Sequence, residues 1–222
     1  MRETIEFLRE LRDNNVKSWF DAQRPRYQEV RSQITALAEG LIDGIGSFDA
    51  SVRGLQVKEC TYRINRDIRF SPDKSPYKTW QGIFIAPRGK CSGYAGYYLH
   101  LEPDACCLTS GIYQPEPVIL QSLRDEILDN GAEIEQALKE AKGFRVNTSS
   151  QLKRTPKGFP AGTEHDDWLR LRSFYIEHPL PEAWLDLPVE GLLRKVVPLF
   201  RTTFRFVEIQ NRAVRFAYEE MM

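Results

Sequence analysis

Apolar positions near the start of the chain recur at intervals of three and four, and that period predicts helix. Phe7, Leu8 and Leu11 predict a first short helix with Thr4 as its cap. Asn14-Asn15 ends it, because short amides bond back to their own backbone. Ser18 and Asp21 stand at capping-box spacing and predict a second start. From Pro25 onward, Val30, Ile34, Leu37, Ala38, Leu41, Ile42 and Ile45 form one apolar stripe, the clearest amphipathic helix in the chain, closed by Gly44 and Gly46.

The period then switches to two. Tyr62, Ile64, Ile68 and Phe70 alternate with Arg63, Asn65, Asp67 and Arg69, which predicts a strand, with Arg66 standing on its apolar side. Pro72, Asp73 and Pro76 turn the next stretch into a loop. Strands are predicted over 82–86, 94–101 and 105–109, joined by short turns into an antiparallel sheet. Helix returns at Val118, Leu120, Leu123, Ile127 and Leu128, and again after Gly131 with Ile134, Ala137 and Leu138. A basic, proline-interrupted stretch follows over 153–160, and 169–176 reads as a helical turn passing into a strand. Residues 189–222 are predicted helical with a break at Pro198. This order predicts one α+β domain over residues 1–222: a mainly antiparallel sheet packed against N-terminal, middle and C-terminal helices.

Composition narrows the classes. A chain of 222 residues, 41% hydrophobic and 28% charged, is an ordinary folded globular protein with enough length for a sizeable core. Thirty-one basic residues balance thirty-one acidic ones, which argues against a dedicated nucleic-acid binder while leaving room for a local basic patch. No stretch approaches the roughly 20 apolar residues needed to span a bilayer. The opening Met-Arg-Glu-Thr-Ile-Glu-Phe lacks the pattern of a signal peptide. Cys60, Cys91, Cys106 and Cys107 are too few and too irregular for a disulfide framework and read as free thiols of a reducing compartment. A cytoplasmic protein outside the membrane is expected. Three histidines and scattered cysteines show neither CxxC nor HExxH spacing, and no Walker A, GxGxxG or GxSxG motif occurs, so no metal and no cofactor is expected.

The run Cys60-Thr-Tyr-Arg-Ile-Asn-Arg-Asp-Ile-Arg-Phe-Ser-Pro-Asp-Lys-Ser-Pro-Tyr-Lys resembles the signature of the conserved hypothetical family DUF2461, a domain of unknown function. The resemblance extends over nearly the whole chain. It takes in Asn14-Asn15 with Trp19-Phe20, Gly96-Tyr97-Tyr98 with His100 and Glu102, Gly111-Ile112-Tyr113 with Pro115, and Leu152-Lys153-Arg154 with Pro156-Lys157-Gly158-Phe159. It implies no activity, so candidate chemistry rests on the residues themselves.

Arg63, Arg66, Arg69, Lys74 and Lys78 place five positive charges within sixteen residues, against Asp67 and Asp73. Guanidinium forks and ammonium point charges suit phosphate or carboxylate, and Ser71, Ser75 and Tyr77 add hydroxyls at the same place. Lys153, Arg154 and Lys157 form a second basic run expected beside the first. Tyr98, His100 and Glu102 share one strand face and have the types of an acid, a base and an orienting carboxylate. His100 and Asp67 are the candidates for handling a proton. The reading that follows is a protein that binds, or acts on, a small anionic ligand at a basic strand-loop surface. Two alternatives stand beside it: a protein-interaction or structural module without catalysis, and a binder of nucleic acid or a phosphorylated partner.

Overall fold

The computed structural model describes residues 1–221. Three helices open the chain: α1 (Arg2–Asp13), α2 (Lys17–Ala22) and α3 (Arg24–Gly46). The predicted apolar faces are the buried ones, Phe7, Leu8 and Leu11 on α1 and the Val30-to-Ile45 stripe on α3. Pro25 stands in the first turn of α3, where its missing N–H has no intrahelical partner to lose. Neither predicted cap acts as one. Thr4 lies inside α1, and its hydroxyl donates to Gln33 Oε1 at 3.1 Å. Ser18 lies inside α2, which Val16 precedes in extended conformation.

After a one-turn α4 (Val57–Cys60), residues 61–80 form a loop rather than the predicted sheet strand. Only Thr61 bridges β1, opposite Ile83, and the rest of the segment folds back on itself. Asn65 bridges Tyr77, Arg66 N donates to Pro76 O at 2.9 Å and Lys78 N donates to Ile64 O at 2.8 Å. Pro76 offers a carbonyl and no N–H, so this ladder cannot extend into a regular strand pair. Alternation survives as burial: Ile64 is buried while Arg63, Asn65, Asp67 and Arg69 are exposed. Phe70 departs from it, 93% exposed at the tip of the loop.

Five strands then make one sheet: β1 (Gln81–Ile85), β2 (Gly96–Leu101), β3 (Cys107–Ile112), β4 (Arg145–Val146) and β5 (Phe174–Pro179). Their order is β1-β2-β3-β5-β4 and every pairing is antiparallel. The third strand begins at Cys107, two residues later than predicted, because Ala105 closes a turn on Glu102 O. Strand β4, only two residues long, carries no readable period and was not predicted.

The chain crosses from β3 to β4 through α5 (Pro117–Glu140). That helix continues past Gly131, with non-helical torsions only at Asn130, so the predicted break there is a kink. Residues 169–176 behave as expected: a turn of helix, α6 (Asp166–Leu169), leads into β5. The end consists of α7 (Val189–Thr202) and α8 (Phe204–Glu220). Pro198 sits inside α7 without ending it, and the break falls at Thr203, whose buried hydroxyl pairs with Ser110 at 2.7 Å. The predicted helix end at Met222 lies outside the described residues.

The two faces of the sheet differ, and that difference positions the site. Ile83, Ile85, Tyr97, Leu99, Leu108, Ser110 and Ile176 are buried on the helix side. There Tyr97 packs on Phe200 of α7 at 5.6 Å, and its hydroxyl donates to the buried Asp49 carboxylate at 3.0 Å. The other face carries Phe84, Tyr98, His100, Cys107, Thr109, Tyr175 and Glu177, all only half-buried. No helix among the described residues is long and apolar enough to cross a membrane.

Candidate functional site

The 61–80 loop runs along the β1 edge and is held by its own charges. Arg66 stitches its two arms together: Nη1 bonds Asp73 and donates to Ser75 O at 3.2 Å, and Nη2 reaches Ser71 Oγ at 3.4 Å. Asp73 accepts from the Ser75 hydroxyl at 2.7 Å and its N–H at 2.9 Å; these bonds, then Arg66, hold its carboxyl down to about 2. Asp67 takes Arg69 in a fork, Nε at 2.9 Å and Nη2 at 2.6 Å, and this pairing holds the Asp67 carboxyl below its ordinary range. Lys74 donates to Ile68 O at 3.0 Å. Arg63 is exposed, its guanidinium forms no ion pair among the described residues, and its carbonyl accepts from Lys78. Three of the five predicted cations, Arg66, Arg69 and Lys74, are therefore occupied in shaping the loop.

Two loop residues face inward. Tyr77 is buried and stacks on Phe20 at 4.0 Å. Asn15 clamps its backbone from 62 positions away, Nδ2 donating to Tyr77 O at 2.9 Å and Oδ1 accepting from Tyr77 N at 3.1 Å. Lys78 is half-buried, with Nζ donating to Arg63 O at 2.8 Å and lying over the rings of Trp80 at 5.1 Å and Tyr62 at 5.8 Å. It forms no ion pair among the described residues. Burial, and secondarily the Arg63 charge, holds its pKa below the ordinary lysine value. A cleft of about 590 Å³ opens here, walled by Arg12, Asn15, Arg66, Asp67, Lys78 and Trp80.

Behind Trp80 stands a chain of three hydrogen-bonded groups on the half-buried sheet face. Tyr98 Oη and His100 Nδ1 are 2.7 Å apart, and His100 Nε2 and Glu102 Oε2 are 2.9 Å apart. The carboxylate can only accept, so Nε2 donates to it; in the neutral ring Nδ1 then accepts the Tyr98 hydroxyl. The His100 side chain is 17% exposed. Trp80 lies 5.6 Å from the imidazole and Tyr62 lies 6.5 Å from the Tyr98 ring, so the two rings that carry Lys78 also border the chain. Burial, with a smaller contribution from Tyr62, pushes the Tyr98 phenol well above its ordinary value.

Glycine at position 82 makes this arrangement fit. Gly82 pairs with His100 across β1 and β2, and a Cβ there would stand 2.5 Å from the Tyr98 hydroxyl and 2.9 Å from Cζ of its ring. Gly82→Ala is expected to push the phenol off Nδ1 and destabilise the fold by about 1–3 kcal/mol, the usual range for overpacking. Urea denaturation reads the second effect and the His100 ring resonances read the first. An alanine variant with unchanged stability and unchanged imidazole signals would contradict the packing described.

Cys107 lies directly opposite His100 on β3, an approach that sequence spacing could not establish. It is no nucleophile there. Both imidazole nitrogens are engaged, and burial, followed by Glu177, pushes the thiol up to about 11. Among the described residues no cluster of three His, Cys, Asp or Glu side chains could hold a metal ion.

The second basic run does not join the first. Lys153, Arg154 and Lys157 are exposed on the segment after β4, the opposite edge of the sheet from β1. At about 4.8 Å per strand, the two edges stand roughly 19 Å apart. Asp67 lines the cleft but is committed to Arg69, whereas His100 sits in a chain able to move a proton. The residues missed were Trp80, Tyr62 and Asn15. Trp80 stands two positions from Lys78, the spacing that puts two side chains on one side of an extended segment, and that was the available signal.

Comparison with known proteins places the chain in a family without adding an activity. The model of the family described as "Conserved hypothetical protein (DUF2461)" matches residues 3–208, and the chain belongs to that family. No curated protein and no solved structure matches the chain.

Proposed function

We propose that this member of the conserved hypothetical family binds a small phosphate- or carboxylate-bearing molecule beside Lys78 and takes a proton from it through Tyr98, His100 and Glu102. The observation that carries the reading is the unbroken chain of bonds at 2.7 and 2.9 Å on the half-buried face of the sheet. The Lys78 ammonium and this chain share Trp80 and Tyr62 as neighbours, while Tyr98, His100 and Glu102 do not wall the Lys78 cleft themselves. In this reading the ligand reaches past the Trp80 edge, with the cation at one end and the proton acceptor at the other.

The transfer balances within these groups. A ligand X–H gives its proton to Tyr98 Oη while the phenol proton passes to His100 Nδ1. The products are X⁻ and an imidazolium that donates to Tyr98 and to the Glu102 carboxylate. Glu102 stabilises the charge on the ring and keeps Nε2 as a donor, the orienting role a carboxylate plays beside a catalytic histidine. Tyr98 remains a neutral phenol before and after, consistent with the direction in which burial moves it.

Neither alternative gains a comparable observation. Asp67 and Asp73 pair with Arg69 and Arg66, and the second basic run lies at the other sheet edge, so no extended positive stripe forms among the described residues. Phe70 at its loop tip, Tyr113 after β3 and Phe216 on α8 are exposed aromatics, and none of them alone makes a docking patch.

The test is a thermal-shift screen of phosphorylated metabolites and organic acids at two salt concentrations, using wild-type, Lys78→Met and Tyr98→Phe proteins. One anionic class is expected to stabilise the wild type and Tyr98→Phe, with at least tenfold weaker binding in Lys78→Met. A hit retained in full by Lys78→Met, or silence across the panel, would remove the reading. Affinity also carries a pH signature. The ammonium loses its proton at a lower pH than an ordinary lysine, so binding is full below that point and falls as pH rises through it. Stability moves the other way: the unfolded chain binds more protons in the window between the lowered pKa and about 10.4, so stability rises across it. Lys78→Met should abolish both trends.

A further inference from the structure

A second concavity of about 500 Å³ lies where the start of α5 meets β5, walled by Tyr113, Leu120, Ser149, Ser150, Arg172 and Tyr175. Arg172 and its neighbour Arg124 differ from the most heavily paired arginines in the chain and resemble Arg31, Arg53 and Arg63, which also form no ion pair among the described residues. Arg2, Arg26 and Arg212 each bond two carboxylates. Arg172, exposed at the concavity, forms no ion pair among the described residues.

Arg124 stands one helical turn beyond Leu120 and therefore on the same face of α5. Only 8% exposed, it donates Nε to Leu169 O at 2.9 Å and Nη2 to Leu171 O at 3.1 Å, and it lies over Phe159 at 5.8 Å. It too has no carboxylate partner among the described residues. Burial, and then the neighbouring Arg172 charge, lowers its pKa, so the two guanidiniums act on each other without an acid between them. A buried charge without a counter-charge is costly to keep. The exposed Lys153, Arg154 and Lys157 belong to the same 147–160 segment as Ser149, Ser150 and Phe159.

Among the remaining walls, which include Gln114, Pro115, Pro117 and Leu120, two residues are aromatic. Tyr113 is exposed and meets Tyr175 edge to face at 5.9 Å, which leaves its ring open to a flat partner.

We infer that this concavity is a second ligand site, for a small molecule carrying an aromatic ring next to a phosphate or carboxylate, the anion at Arg172 and Ser150 and the ring against Tyr113 and Tyr175. Its volume falls within the range of small-molecule pockets. The site is separate from the Lys78 cleft and does not depend on the function proposed for it.

Isothermal titration of the full chain with phenyl phosphate, benzoate and inorganic phosphate tests it. Arg172 is exposed, so Arg172→Gln is expected to fold normally. Wild-type protein should bind phenyl phosphate or benzoate, and whichever binds names the anion. Arg172→Gln should weaken that probe at least tenfold, and Tyr113→Ala should weaken it while leaving inorganic phosphate unchanged. No binding by any probe, or binding unchanged in Arg172→Gln, would overturn the inference.

Discussion

His100→Ala is expected to lower turnover of the Lys78-dependent ligand by about 10²–10⁴-fold, the range that a positioned acid–base group contributes. The loss should fall on kcat, with KM nearly unchanged, because the imidazole contacts Tyr98 and Glu102 rather than the ligand's anionic end. Tyr98→Phe should lose a similar factor, since either change interrupts the same transfer. The double variant should then be little worse than either single one, because groups acting as one unit are not additive. Removing the imidazole also leaves the Tyr98 hydroxyl without its acceptor, a cost of about 1–3 kcal/mol for a buried polar group. A fall in KM affinity with kcat preserved would instead assign His100 a binding role, and additive losses in the double variant would separate it from Tyr98.

Gly111→Ala is the substitution expected to damage the fold most. Gly111 has φ +125°, and it pairs with Gly96 on one side and Tyr175 on the other. An added Cβ would meet the carbonyl oxygen of Phe174 inside van der Waals contact and the Cα of Tyr175 at 2.8 Å. Both are backbone atoms of β5, so no side chain can swing aside. Backbone strain of about 1–3 kcal/mol adds to an overpacking cost of similar size. A total of about 2–6 kcal/mol corresponds to a drop in Tm of about 4–24 °C in a domain of this length. Gly158→Ala is the control: φ is +96° but nothing lies within 4 Å, so strain acts alone and the loss should stay near the lower end of about 1–3 kcal/mol. Equal losses in the two variants would show that the β3–β5 contact is not what forbids a side chain at Gly111.

The sequence was most informative where a period reports burial, and least where a partner decides the outcome. Alternation from Tyr62 to Phe70 correctly marked Ile64 as inward and the four polar residues as outward. It could not say that the segment would pair with 76–78 instead of a sheet, because a period of two describes exposure and not the identity of the hydrogen-bond partner. Asn15 was legible as a helix breaker. Its amide clamp on Tyr77 crosses 62 positions, and no local rule reaches that far. Pro198 misled for the opposite reason, since tertiary packing of α7 tolerates it, with Phe200 buried against Tyr97.

For the site, Tyr98, His100 and Glu102 were recoverable because strand spacing alone puts them on one face. The charges of the basic loop were legible, but their pairing was not. Charge density along the chain does not reveal which cations their neighbours already occupy, and Arg66 and Arg69 are taken by Asp73 and Asp67. Lys78 stands apart through its aromatic neighbours, which only the fold assembles.

The most direct measurement is nitrogen-15 NMR of the imidazole rings in histidine-labelled protein, titrated with an anion from the screen, for wild type and Lys78→Met. The account predicts that His100 carries its proton on Nε2 with Nδ1 as acceptor, and that its signals move as the anion binds in the wild type and stay fixed in Lys78→Met. A proton on Nδ1 in the neutral ring, or His100 signals that ignore an anion bound beside Lys78, would contradict a proton chain linked to that site.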